Sequence, residues 1–221
     1  LQPVHEAGRG SEMRHLIIVV VVGCLAVAGC SRQPEPEAQV EVVAPAVDWL
    51  TIEAIDMTAT QKAQQELAAA ATHALASELL GELEAALASG GGPAGIQTCR
   101  EKAPEIAARV SQQFGLKIGR TSHRLRSPNN TPPAWAQLQV ANQVAEPTYL
   151  AGSGGQFAAL LPIRLKAECQ MCHGPTEAID EGIQQAIATF YPNDQAVGFT
   201  EGDLRGWIWV EVPPGEPETA L

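Results

Sequence analysis

The chain has 221 residues, 45% of them apolar, which is one domain's worth of sequence with enough apolar content for a real core. Its formal net charge is -11, which argues against a nucleic-acid partner and suits a soluble protein that meets a basic redox partner. No internal repeat is visible.

In chain order, the first feature is MRHLIIVVVVGCLAVAGC, Met13 to Cys30. Arg14 and His15 give it a short basic start, and an apolar run follows that is too short for a comfortable membrane span. This is a secretory signal pattern. Its end, Val27-Ala28-Gly29-Cys30, resembles a bacterial lipobox, in which cleavage precedes a lipidated cysteine. Residues 1–29 are therefore expected to be upstream sequence plus a lipoprotein signal peptide, with Cys30 lipidated and the protein anchored to a membrane facing the periplasm. Ser31 leans the sorting towards the outer membrane. Met13 is the expected start, so residues 1–12 are left out of fold reasoning. Cleavage would remove Glu6, Arg9, Glu12 and Arg14, leaving the net charge unchanged. Residues 30–47, rich in Pro, Glu and Ala, read as a tether. The domain is expected over 48–212, with a frayed tail at 213–221.

Within the domain, Thr60 to Ser89 predicts a helix, with Leu75, Leu79, Leu83 and Leu87 on one apolar face. SGGGP stops it. Gly95 to Phe114 predicts a second helical stretch, and Cys99 shares its apolar stripe with Ala103, Ile106, Val110 and Phe114. Pro104 is expected to kink this stretch or to restart it. Leu116 to Ser127 reads as a strand entering a polar loop, and Pro132-Pro133 opens a short helix. Phe157, Ala159, Leu161, Ile163 and Leu165 alternate as one face of a strand, which Pro162 marks as an edge or bulged strand. A helix is expected over Thr176 to Phe190. Trp207 to Val212 predicts a closing strand with Ile208, Val210 and Val212 on one face. The fold class is α+β, a small antiparallel sheet with long N-terminal helices.

The chemistry lies in ECQMCHGP, Glu168 to Pro175. A structural zinc site needs two further ligands at typical spacing, and no second Cys-x-x-Cys exists. A thioredoxin-like dithiol would open a helix in a βαβ unit, which is not apparent here, and would leave His173 unexplained. One covalent haem c uses all three residues: Cys169 and Cys172 form thioethers and His173 is the proximal iron ligand. The signal sequence places the chain where such haem is assembled. Of five cysteines, Cys24 leaves with the signal and Cys30 carries lipid. Cys99 remains, an unpaired thiol outside the cytoplasm.

Four segments, TCREKAPEIA, IGRTSHRLRSPNNTPPAW, CQMCHG and YPNDQAVGFTEGDLRGWIWV, together resemble a family of PAS-like domains that bind c-type haem and whose function is uncharacterised. Members stand alone in the periplasm or serve as sensor parts of histidine kinases and chemoreceptors. Ser127 departs from the Asn common in relatives. The resemblance implies a PAS-like sheet and, in some members, a His/Cys-ligated iron. The other candidates for the distal ligand are Met57, His73, His123 and Met171. Met57 reads as core filler, His73 as a helix-surface or packed residue, and His123 as a polar strand residue. Met171 is pinned between the attachment cysteines. Cys99 is therefore expected as the distal iron ligand, released on reduction. Arg124 and Arg126 are candidates for haem propionate contacts, and Arg205 has similar status. The expected role is redox sensing or single-electron transfer with a signalling or redox protein partner, without enzyme activity. The alternatives are a gas-binding haem sensor with a labile sixth ligand and, below it, a haem peroxidase.

Overall fold

The computed structural model describes residues 47–215. The signal peptide, Cys30, all but the last residue of the tether and the end of the tail lie outside the described residues. The chain enters as a short strand, β1 (Trp49–Ile52), and then forms one long helical element, α1 (Ala59–Phe114). Thr58 caps its start reciprocally with Gln61: Gln61 N–H donates to Thr58 Oγ1 at 3.2 Å, and Thr58 N–H donates to Gln61 Oε1 at 2.9 Å. Gly115, at φ 64°, closes its end by donating to the Ser111 carbonyl.

The SGGGP segment breaks α1 as the sequence predicts, at a single residue. Gly91 has φ 67° and ψ -161°, a conformation open to glycine and closed to most side chains. Arg109 reaches Glu78 across the break at 2.5 Å, although 31 residues separate them. A straight helix would hold them about 46 Å apart. The two arms, 59–90 and 92–114, therefore fold back on each other. Pro93 sits in the first turn of the second arm, where its missing N–H costs nothing. Pro104 lies inside that arm without interrupting it, since Gly91 holds the non-helical dihedrals in the element.

Five strands make one antiparallel sheet. After β1 come β2 (Lys117–Thr121), β3 (Thr148–Gly152), β4 (Phe157–Arg164) and β5 (Leu204–Val212), in the spatial order β1-β3-β4-β5-β2. The α1 hairpin covers one face. There Leu75, Ile106 and Val110 pack against Phe157, Ala159, Ile208 and Val210. Burying each large side chain in that layer contributes about 1.5–3 kcal/mol. Ala136, Val140, Leu160 and Trp207 close the other face beneath a short helix, α2 (Gln137–Ala141). The result is an α+β, PAS-like architecture.

The strand carrying Pro162 is irregular, one of its two expected forms, and is not an edge strand. It is central, between β3 and β5. Its pairing with β3 ends at Leu160, however, so Pro162 lies in a stretch that pairs with β5 alone. The missing N–H is tolerated because that stretch is locally an edge. The register then shifts between Ile163 and Arg164. The irregularity takes Leu165 off the helix-facing stripe and packs it with Ala196, Phe199 and Cys169.

This topology gathers one end of the sheet. The exit of β2, the exit of β4 and the entry of β5 lie together, because Thr121 pairs with Trp207 and Ile163 with Gly206. Two helices occupy that end, α3 (Gln170–His173) and α4 (Glu181–Phe190). The second arm of α1 runs towards the opposite end, where β2 begins, so its early residues, Cys99 among them, return to the same place. A side chain at Gly92 would run into that of buried Ile183, so the close docking of α4 on the hairpin favours a bare position there. Among the described residues no helix is long and apolar enough to cross a membrane.

Candidate functional site

Cys169 ends a 3-10 turn and α3 follows at once, so both thiols and the histidine stand on little more than one helical turn. Cys169 packs beside Leu165, Ala196 and Phe199, and Cys172 beside the cluster of Ile96, Ile183 and Tyr191. The pair thus spans two apolar walls. Among the described residues Cys99, Cys169 and Cys172 are free of disulfides, and no three His, Cys, Asp or Glu side chains form a metal-holding group.

His173 is held by the loop before β5. Its Nδ1 lies 2.7 Å from the Ala196 carbonyl, so Nδ1 carries the proton and donates it there, leaving Nε2 as the free lone pair. Arg205 Nε also comes within 3.3 Å of Nδ1. One N–H cannot donate to the carbonyl and accept from the guanidinium at once. The shorter bond sets the tautomer, and the Arg205 approach is a charge contact. Burial, with the nearby charges of Arg205 and Arg126, pushes the His173 pKa well below the usual histidine range. The imidazole is neutral near pH 7, the form that ligates metal.

Asp194 builds that loop. Its carboxylate accepts from Ala196 N–H at 2.9 Å, turning the chain so that the Ala196 carbonyl faces His173. The same carboxylate takes both Arg126 Nε and Nη2 at 3.1 Å, in an ion pair whose side chains are 10% and 7% exposed. Arg126 Nη2 also donates to the carbonyls of Cys172 at 2.6 Å and Ala196 at 3.2 Å. Backbone bonds complete the clamp, from Phe199 N–H to the His173 carbonyl at 2.9 Å and from Gly198 N–H to Gly174 at 2.6 Å.

Arg124 is likewise engaged. Its Nε donates to the Gln195 carbonyl at 3.0 Å, its Nη2 donates to the Val197 carbonyl, and its guanidinium lies 4.4 Å from the centre of the Phe199 ring. Arg124 and Arg126, the sequence candidates for carboxylate contacts, thus hold the loop around His173 through Nε and Nη2. Arg205 Nη1 donates to Ser122 Oγ at 3.0 Å.

Arg120, which sequence reasoning passed over, is different. It lies on β2 two residues after the core residue Ile118, on the helix-facing side of the sheet. Among the described residues its guanidinium has no hydrogen-bond partner. Cys99 and Tyr191 are the acidic groups whose charges act on it. Burial pushes the Cys99 thiol up, and Arg120 and Arg126 partly oppose that shift. Cys172 feels the charge of Cys99 as well, so the second arm of α1 delivers Cys99 to the motif's neighbourhood.

Cys99, Arg120, Cys172, His173 and Arg205 are all half-buried, yet desolvation is the leading influence on the protonation of each. These groups come from the second arm of α1, β2, α3 and β5, the elements that meet at this end of the sheet. A cleft of about 500 Å³ lies elsewhere, at the far end of β5, between Thr60, Phe114 and Pro213 and without charged lining.

The remaining candidates lie on exposed surface or in packing. Met57 is buried in the sheet–hairpin core. His73 is exposed on α1, and Met171 is 48% exposed. His123 packs edge-on, 6.0 Å from the ring centres of both Phe199 and Trp207, with its Nδ1 buried and unpartnered among the described residues. Asp194, Tyr191, Phe199 and Arg120 were not singled out from the sequence. The Asn-Asp turn signal at 193–194 is the one local mark that could have found Asp194.

Fold and site together define a PAS-like α+β domain carrying two free thiols and an oriented, neutral imidazole at one end of its sheet. More particularly, a family model described as Tll0287-like matches residues 43–213, and the chain belongs to that family. The fold is similar to the crystal structure of the cyanobacterial heme-protein Tll0287, with a TM-score of 0.51 and 22% identity over 69% of this chain and 95% of that one. No curated protein matches the chain.

Proposed function

We propose that this protein binds one haem c and works as a one-electron redox or sensing protein rather than an enzyme. The observation that carries this reading is the donor set on α3: two free thiols and an imidazole whose Nδ1 is tied to Ala196, with Nε2 left over. The residues fit the group. Cys169 and Cys172 would form the thioethers, His173 would supply Nε2 to the iron, and Cys99 would supply its sulfur to the iron. A bound haem would contribute a one-electron couple.

The chain's own part is to fix these donors. Asp194 and Arg126 hold the carbonyl that orients His173. Cys99 must lose its Sγ proton to ligate; burial opposes that loss, and Arg120 and Arg126 favour it. A thiolate ligand stabilises the ferric state, and an added electron makes it harder to keep. Cys99 is therefore the ligand expected to let go on reduction. The same burial favours the second reading, a gas-binding sensor whose sixth position opens. The lipobox-like end at Cys30 supports a lipid-anchored protein facing the periplasm, acting on a redox or signalling partner.

The test is a chain made with haem-attachment machinery, with spectra recorded ferric, ferrous and ferrous with carbon monoxide. Haem that stays with the polypeptide on a denaturing gel, and is lost in Cys169→Ala/Cys172→Ala, is the expected result. Haem that leaves wild type on denaturation overturns the covalent reading. A low-spin thiolate-like ferric spectrum that changes in Cys99→Ala supports the ligand. Identical spectra for the two proteins end that role. A carbon monoxide shift in wild type moves the reading towards gas sensing.

A further inference from the structure

Four arginines approach the cysteine motif in a chain whose net charge is -11. Arg120 comes from β2, Arg124 and Arg126 from the segment after it, and Arg205 from β5. They gather round the loop before β5: Arg124 and Arg126 donate to its carbonyls, Arg205 stands against Ser122 and His173, and the carboxylate paired among them is Asp194. That carboxylate is already bidentate to Arg126. Asp203 is a second carboxylate near enough to act on Arg124, so four guanidinium groups face two carboxylates and keep a positive surplus, while the chain as a whole is acidic. Such a surplus costs stability unless an anion meets it.

The hydrogen bonds show which arginine is left for that anion. Arg126 is committed to Asp194 and two carbonyls, Arg124 to two carbonyls and the Phe199 face, and Arg205 through Nη1 to Ser122 with its guanidinium over the Phe199 ring. Arg120 alone of the four has its whole fork unspent among the described residues. It lies on the face of β2 that carries Ile118, the face covered by the α1 hairpin, at the end of the sheet where α3 sits. A planar fork with all its donors unspent matches a carboxylate, which it binds with two parallel bonds.

We propose that Arg120 anchors a haem propionate, and that Arg124 and Arg126 instead hold the loop that positions His173. This rests on the haem reading above, and it moves the propionate assignment from the loop arginines to the strand. Arg120 is a binding residue for the group's acidic edge.

The experiment uses the full chain loaded with haem, as wild type and as Arg120→Gln, Arg120→Lys and Arg124→Gln. The primary readout is the haem propionate bending band in resonance Raman spectra, which follows hydrogen bonding to that carboxylate. The expected result is a shifted band in Arg120→Gln, a smaller shift in Arg120→Lys, which keeps the charge and loses the fork, and an unmoved band in Arg124→Gln. Removing one positive charge near the iron should also lower the ferrous-to-ferric ratio at fixed potential by roughly tenfold. Arg120→Lys keeps the assignment testable if the Gln variant does not fold. An unmoved band in both Arg120 variants overturns the proposal, as does a band that moves only in Arg124→Gln. Wild type without covalent haem removes the haem reading itself and the Arg120 assignment with it. Covalent haem with an unmoved band removes the assignment alone.

Discussion

The sheet–hairpin core and the cysteine end of the sheet are built on opposite principles. In the core, Leu75, Ile106, Phe157 and Val210 are buried against one another. Gln64 is satisfied there, donating to the Gly155 carbonyl at 3.0 Å and the Pro213 carbonyl at 2.8 Å, while Thr72 Oγ1 on α1 is buried without a partner among the described residues. At the cysteine end, four arginines outnumber the carboxylates, and among the described residues a histidine Nδ1 is buried without a partner and Arg120 keeps an unspent fork. The core closes on itself, while the other end is arranged around something still to be met. Stability should therefore reside in the first region and ligand chemistry in the second, and substitutions can test whether the two separate.

The largest effect is expected where both meet. Asp194→Ala strips the partner from buried Arg126 and removes the acceptor that turns the chain at Ala196. Breaking a buried pair in this way costs about 3–5 kcal/mol. Because the Ala196 carbonyl then loses its aim at His173, the ferric spectrum of the loaded protein should change together with the denaturation midpoint. Loss of stability with an untouched spectrum would mean that the loop does not orient the histidine. Leu75→Ala comes next, at about 2–5 kcal/mol for a fully buried leucine. Here the spectrum should stay as in wild type while urea unfolding shifts to lower concentration. A spectral change of the size seen for Asp194→Ala would refute the separation of the two regions.

The sequence was legible where a pattern repeats locally. The Leu75–Leu87 series, the Cys99–Phe114 stripe and the alternation in Trp207–Val212 each announce their element, and SGGGP announces the break. The cysteine motif is likewise local, six residues that name their own chemistry. The two short strands, β1 and β3, were missed. Strands of four and five residues carry too few alternations to show a period, and they exist because β4 offers β3 a template and β3 in turn offers β1 one. The face of Leu165 was misread because a register shift has no period. The site's supporting residues were hidden for a different reason. Arg126 meets Asp194 across 68 positions and Arg124 meets Val197 across 73, so only the fold brings them together. Arg120 was overlooked because its informative property is the lack of a protein partner, which no sequence displays.

The smallest effect should come from Ser122, at the seam between the two regions. It is buried at the end of β2, 6% exposed. Its Oγ donates to the Arg205 carbonyl at 2.7 Å and accepts from Arg205 Nη1 at 3.0 Å and from Arg124 N–H at 3.0 Å. Ser122→Ala deletes these bonds and leaves almost no cavity. Water or the neighbouring Arg124 carbonyl, 3.4 Å from Arg205 Nη1, can take up part of the loss. The net cost should be about 1 kcal/mol, a shift of roughly 2–4 °C in Tm for a domain of this size. Arg205 then loses the bond that holds its charge against His173 Nδ1, so the midpoint potential of the loaded protein should fall slightly. A potential that stays fixed while Tm falls would place Ser122 with the core and confine the ligand chemistry to the loops beyond it.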